Sequence, residues 1–409
     1  MRVVVRICLA VVVMGPAISL PSQTIRDSAG IRIVENSSAL WRDAERLQLS
    51  AQPMLTLRND VDSMYRFRRV RGVFRFEDGS LLVADGGSLQ LRRYGAQGEF
   101  MSVGAGKAVA RGQVAPGQLT EMSGVFRLPG DTIAVTSSLS NYSLYTRTGQ
   151  FVRAQSFPFD PMAGPAILVS MLGGGLRVAT SMGAPKPRAP GTQWVDSLPF
   201  KIANDANVVV HELGMLPYVQ LLQKDTTFTP PWLSPVGVFV AGNHRFYAGY
   251  GDRYAVRVFA SNGKLETIIR RAWTPAPITP DDWEEWVVEW SKLWVKDTGA
   301  AWDAAVQEVR DAPYAFELPA FSQFLVDHSG RLWVRAARWQ DAIAAGSLSD
   351  RPAVPSTWSV FDARGAWLGD VTMPARFQPY DIGSDYVAGS MSESGAIHVV
   401  VYSLAARGR

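Results

Sequence analysis

The 409-residue chain is poor in the side chains that usually carry chemistry, with one cysteine, Cys8, and four histidines. Cys8 lies in a segment expected to be removed. The mature chain is therefore expected to have no disulfide, no thiolate metal site and no cysteine nucleophile. An excess of one charge is also missing: 41 basic residues face 37 acidic ones, a net of +4. Without any basic run, that balance argues against an electrostatic grip on nucleic acid. There is no G-x-S-x-G elbow, no H-E-x-x-H and no phosphate loop of the Walker type. The glycine-rich GAGKAVARG, Gly104 to Gly112, has no hydroxyl residue after its lysine and reads as a flexible link.

What is present begins with a leader. MRVVVRICLAVVVMGPAISLPSQ sets Arg2 and Arg6 before an apolar stretch from Ile7 to Leu20, and Ala17-Ile18-Ser19 supplies a small-x-small cleavage pattern. This is the layout of a signal peptide over residues 1–22, and it implies export to the periplasm or beyond. The apolar stretch is shorter than the roughly 20 residues a membrane helix needs, so no span is expected in the mature chain. Cys8 follows Arg6-Ile7, where a lipoprotein signal would place small residues. The composition, 47% hydrophobic and 19% charged, is that of a globular chain. Its length supplies a core that can do without disulfides.

The rest of the chain repeats a skeleton. GVFRFEDGSLLVADGGSLQLRRYGAQGEF, Gly72 to Phe100, is followed by GVFRLPGDTIAVTSSLSNYSLYTRTGQF, Gly124 to Phe151. Each reads as apolar strand, glycine turn, strand, loop, strand, glycine turn, strand. From Gly79 to Gly98 is 19 residues, and from Gly130 to Gly149 is 19 again. Later copies are looser: 21 residues separate Gly242 from Gly263, and 35 separate Gly330 from Gly365. A degenerate third copy spans Ile167 to Leu213, and a last one, YDIGSDYVAGSMSESGAIHVVVYSL, has room for three strands. Six four-stranded units with period-2 alternation predict an all-β, six-bladed β-propeller over residues 31–404, whose closed ring leaves only short strand edges. An N-terminal strand is expected to complete the last blade, and GIRIVEN, Gly30 to Asn36, can supply it. A β-helix suits the long, irregular units less well, and two sandwiches would not explain six copies.

The segments DSAGIRIVENSS, DGSLLVADGGSLQLRRYGAQGEF and DHSGRLWV resemble the bacterial secreted six-bladed propellers related to the NHL-repeat group. The likeness covers almost all of the mature chain and implies the fold far more than an activity. In many relatives the loop after the first blade resembles G-x-G-P-G-E-F. Here it reads GQVAPGQL, with Gln118 in place of the glutamate, so no role is carried over to that position.

Strands alternate in direction within a blade, so A–B and C–D turns share one face while B–C loops and D–A links share the other. The first class is tight throughout. Insertions fall in the second: GAGKAVARGQVAPGQ, APKPRAPGTQW, YVQLLQKDTTFTPPWLS, QDAIAAGSLSDRPAVPS and residues 274–318 between blades four and five. Loops on a rigid scaffold concentrate binding residues, so this decorated face is the expected functional one. The largest insertion is read as helical, with Thr279 as N-cap and Pro280 in the first turn. Trp283, Trp286, Trp290 and Trp294 follow on one face. Burial against the ring is the expectation for such a stripe, and a partner-binding surface is the alternative.

Residues closing each B strand, with those opening each A strand, are expected to ring the channel mouth. They include Asp85, Thr136, Thr180, Tyr250, Asp252, Arg335, Arg338 and Ser390, with Arg68, Arg69 and Arg71 from blade one. The set is more cationic than acidic and suits an anionic small molecule or an acidic peptide. Six-bladed lactonases hold calcium through channel carboxylates and amides. Here Asp85 and Asp252 are the only obvious carboxylates at the mouth, so calcium is weakly supported and no metal site is assigned. The NHL-like amidating lyases would need several histidines around a metal. His244 and His328 belong to A–B turns, and His211 and His398 to outer strands, so none is expected at the mouth. The functional expectation is a monomeric, non-catalytic binding protein for a small molecule or a protein partner. A metal-dependent hydrolase and an envelope scaffold are the alternatives.

Overall fold

The computed structural model describes residues 22–58, 62–107, 114–137, 141–156, 166–242, 244–294, 299–340, 354–393 and 395–408. Residues 1–21, which hold most of the expected signal peptide, and residues 341–353 of the B–C insertion of blade five lie outside them. Within the described residues the chain folds into six main sheets, each with an antiparallel core, arranged as the blades of a propeller. Blade one comprises Val70–Arg75, Leu81–Asp85, Gln90–Tyr94 and Phe100–Gly104. Blade two repeats the order from Gly124–Arg127 to Phe151–Ser156, and blade five from Gln323–Val326 to Trp367–Met373. Six buried apolar clusters hold the ring, each shared by two adjacent blades. The cluster joining blade six to blade one includes Val73, Leu81, Ala388 and Val399. Alternating apolar residues on both faces of every blade make such a closed set, because each sheet is covered on both sides.

The spacing of 19 is explained by backbone geometry. Gly79, Gly98, Gly130 and Gly149 all have φ near +80°, a region that glycine occupies without the Cβ penalty. In blade four that position of the A–B turn belongs to His244, with φ 61°, rather than to Gly242. From His244 to Gly263 the spacing is again 19, so the looser interval read from Gly242 is a regular turn filled by a different residue.

Ring closure differs from expectation in its detail. Ile31–Asn36 pairs in parallel with Leu265–Arg271 and widens blade four, not blade six. The last blade is completed by Leu47–Leu49 and Leu55–Leu57, both paired with Ala396–Ala406. Between them, the amides of Leu40 and Trp41 donate to the carbonyls of Trp367 and Leu368 in blade five. One N-terminal segment thus runs along the outer edges of three successive blades. Alternation marks a strand but not the edge it joins, so the pattern of GIRIVEN does not distinguish blade four from blade six.

Two of the expected insertions in blade three are one structure. Strand C runs Gln193–Ala203 and strand D Val209–Gln223, so APGTQW and YVQLLQ zip together from Gln193↔Leu222 onward. YVQLLQ is therefore strand, not link. In the largest insertion, α1 (Pro280–Trp294) and α2 (Ala300–Arg310) pack together. Thr279 and Asp282 exchange hydrogen bonds at the start of α1, as a capping box does. Among the described residues, no helix is long and apolar enough to cross a membrane.

Candidate ligand-binding channel

The innermost strands of all six blades line one cavity of about 550 Å³ along the ring axis. Its sides are apolar, with Phe74, Val125, Val240 and Leu325 among them. Three of these innermost strands carry a register shift against their neighbour, at Arg71, Val169 and Tyr380. Each shifted residue lines the cavity. A bulge re-aims the extra side chain, and here three bulges each deliver a residue to the channel, while a second shift in blade three, at Leu172, does not.

At the end facing the B–C loops, Arg71 is the charged residue of the lining. Its Nε is buried without a hydrogen bond, and no carboxylate among the described residues pairs with it. Arg69 Nε is unpartnered in the same way. Asp85 explains how this arginine-rich segment is held. It is fully buried, and its Oδ1 accepts from the amides of Arg68, Arg69 and Gly87 at 3.2, 2.9 and 3.1 Å. Its Oδ2 accepts from Ser88 at 2.7 Å and faces Arg92 at 3.5 Å. Asp85 is thus a clamp that sets the position of the arginines. Arg68 itself is exposed.

The opposite end, on the side of the tight turns, carries a denser polar network. Asp381, 6% exposed, accepts from the Arg75 amide and the Tyr386 hydroxyl, each at 2.8 Å, through Oδ2. Its Oδ1 lies 2.7 Å from His328 Nε2. Arg127 approaches Asp381 at 3.7 Å and spends other donors on Asp131 and the Arg75 carbonyl. Blades one, two, five and six meet in these contacts. The bond to Asp381 raises the pKa of His328 above its usual value. Burial, reinforced by Asp381, pushes the Tyr386 phenol up, so it stays a donor. His328 was expected to remain away from the channel in a plain turn. Instead it lines the channel, because the A–B turns surround the far end of the same axis that the loops surround at the near end.

The remaining expected site residues are dispersed. Tyr250 and Asp252 line a separate cavity of about 230 Å³ at blade four. Burial raises the Tyr250 phenol to about 12, and Asp252 pairs with Arg253 at 3.1 Å. Arg335 reaches Gln378 and lies over the Trp358 ring. Arg338 donates to the carbonyls of Val354 and Pro355. Thr136 and Thr180 turn their hydroxyls to backbone carbonyls, and Ser390 is fully buried. Asp85 and Asp252 do not line one cavity, and Asp85 has no oxygen to spare, so this pair does not fit a calcium site. Among the described residues, no group of three or more His, Cys, Asp or Glu is placed to hold a metal ion.

The tryptophan stripe faces inward. Trp283 and Trp286 are 6% and 0% exposed, in a satellite cluster with Leu233, Val306 and Trp339. Trp290 packs partly buried beside them, with its ring 4.9 Å from that of Trp232. The Trp294 side chain lies outside the described residues. Trp339 Nε1 donates to Asp282, tying α1 to blade five. The register shift between Val70 and Gly72 is what sets Arg71 on the channel, while Arg127, His328 and Asp381 carry no local sequence signal.

No family model matches the chain, and no curated protein matches it. Solved structures do. A member of the DUF4221 family from Bacteroides vulgatus is similar with a TM-score of 0.52 and 11% identity, over 89% of this chain and 99% of that one. A protein from Bacteroides fragilis described as exported gives 0.48 and 11%, over 91% and 99%. An aldose sugar dehydrogenase from Streptomyces coelicolor, solved with PQQ bound, gives 0.40 and 10%, over 88% and 99%. At such identities the likeness to the first is one of fold, a six-bladed propeller, and it assigns no chemistry.

Proposed function

We propose that this chain is an exported, monomeric, non-catalytic propeller that binds a small anionic molecule in its central channel. The observation that carries the reading is Arg71: a bulge places it on a 550 Å³ cavity, and no carboxylate among the described residues neutralises it. A guanidinium in a half-buried, apolar-walled site holds a carboxylate or similar anion far better than one in bulk water. Cavities of this size with few polar groups are the usual form of small-molecule sites. Export rests on the leader pattern of residues 1–22. A protein partner would have to be met elsewhere than through Trp283 and Trp286, whose rings are buried.

The test is a thermal-shift panel of aryl and alkyl carboxylates, each beside its uncharged amide. Carboxylates should raise the Tm of the wild-type chain and fail to do so in Arg71→Met and in Val240→Trp, which fills the channel. If the amides protect equally, or if Arg71→Met responds as the wild type does, the reading is wrong.

A further inference from the structure

The two ends of the channel are unlike, and the difference constrains the ligand. Resting on the reading of Arg71 as its anion site, we infer that the ligand is an elongated carboxylate with a hydroxyl at its far end, received by His328 and Asp381. Arg71 and Arg75 lie four residues apart on one strand, and the Arg75 amide binds Asp381. At about 3.3 Å per residue the ends are roughly 13 Å apart. Between them Phe74, Val125, Val240 and Leu325 supply stretches of apolar wall. An alkyl or aryl body fits that stretch, where a polar one would lose its water without recompense.

The far end carries charges of both signs. Arg127 is matched by Asp131 at 2.5 Å, and His328 by Asp381. The nearby Asp327 is taken up by Arg331 and Trp333, and the Arg75 guanidinium lies over the Tyr386 ring. An added carboxylate would meet Asp381 and Asp131, and an added ammonium would meet Arg127 and His328. A neutral group suits the balance. Nε2 of His328 is engaged by Asp381 at 2.7 Å, with Arg127 beside it at 3.3 Å, which leaves Nδ1 without a partner among the described residues on a side chain that is 42% exposed. Nδ1 accepts from a hydroxyl when the imidazole is neutral and donates to one when it is protonated. A hydroxyl satisfies both states, where a carbonyl or an ether satisfies one.

The experiment is calorimetric titration with a homologous series of ω-hydroxyalkanoates, each beside the plain alkanoate of equal length. Wild type, Arg71→Met, His328→Phe and His328→Gln are compared, with circular dichroism and Tm confirming that each is folded. The hydroxyl should add affinity by about threefold to tenfold at one chain length, and that gain should vanish in both His328 variants. A hydroxyl that adds nothing at any length, or a gain that survives both substitutions, overturns the inference. In that case plain alkanoates that still bind the wild type and fail on Arg71→Met leave the proposed function standing. If no carboxylate binds the wild type, both readings fall together.

Discussion

The two faces of the ring were built under different constraints. The loop face varies freely in length, yet its elaborations serve one another: α1, α2, Trp232 and Trp339 form a satellite core of their own. The turn face is short throughout, with glycine at positive φ in most turns and His244 in blade four, yet it holds a dense polar network on the axis, Arg127, Asp131, His328 and Asp381. Length variation therefore marks where a scaffold tolerates additions, not where its polar chemistry converges. The channel takes its character from single residues in the innermost strands.

The comparison can be broken most forcefully at the satellite core. Trp286→Ala should cost about 3–5 kcal/mol, as removal of a fully buried tryptophan does. Hydrogen exchange should show the lost protection confined to the two helices and the Trp232 segment. Loss spreading through the blades would mean that the cap and the ring are one cooperative unit. Asp381→Ala strikes the opposite face, leaving the Arg75 amide and the Tyr386 hydroxyl without their acceptor. A loss of about 3 kcal/mol in chemical denaturation is expected, from the cost of unsatisfied buried groups. A loss below about 1 kcal/mol would show that the network does not brace the four blades it touches.

Two smaller effects sharpen the reading of the turn face. His244→Gly should stabilise by up to about 1 kcal/mol, since glycine adopts the positive φ without a Cβ clash. Destabilisation instead would assign the His244 side chain a role in the cavity it lines. The second effect is a pH dependence. Asp381 favours the protonated form of His328, as Asp327 does more weakly, while Arg127 and burial oppose it. Because its folded pKa is raised, His328 contributes stability that is fully present below the unfolded value of 6.5. That contribution fades as pH rises through the folded value. The Tm of His328→Gln should fall furthest below wild type under acidic conditions, below the unfolded value of 6.5, and the gap should shrink as pH rises above it. A gap that stays constant with pH would show that the proton is not involved.

The ring was legible in the sequence because a blade repeats two signals at once, period-2 alternation and a positive-φ turn. Where His244 replaced glycine the spacing looked irregular, and the copy seemed longer than it is. Edge pairing was not legible, since Ile31–Asn36 and the short Leu47–Leu49 and Leu55–Leu57 carry the same alternation and differ only in which blade they meet. At the channel, Arg71 was within reach because it lies beside two other arginines. His328 and Asp381, 53 residues apart, were not. Their meeting depends on adjacent blades five and six presenting their innermost strands to one axis, which no local pattern encodes.

A crystal structure grown with an alkanoate bears most directly on the account. The prediction is a carboxylate within hydrogen-bond distance of the Arg71 guanidinium, with its chain running down the channel toward His328. An alkanoate bound only outside the ring, with the channel left to water, would contradict it.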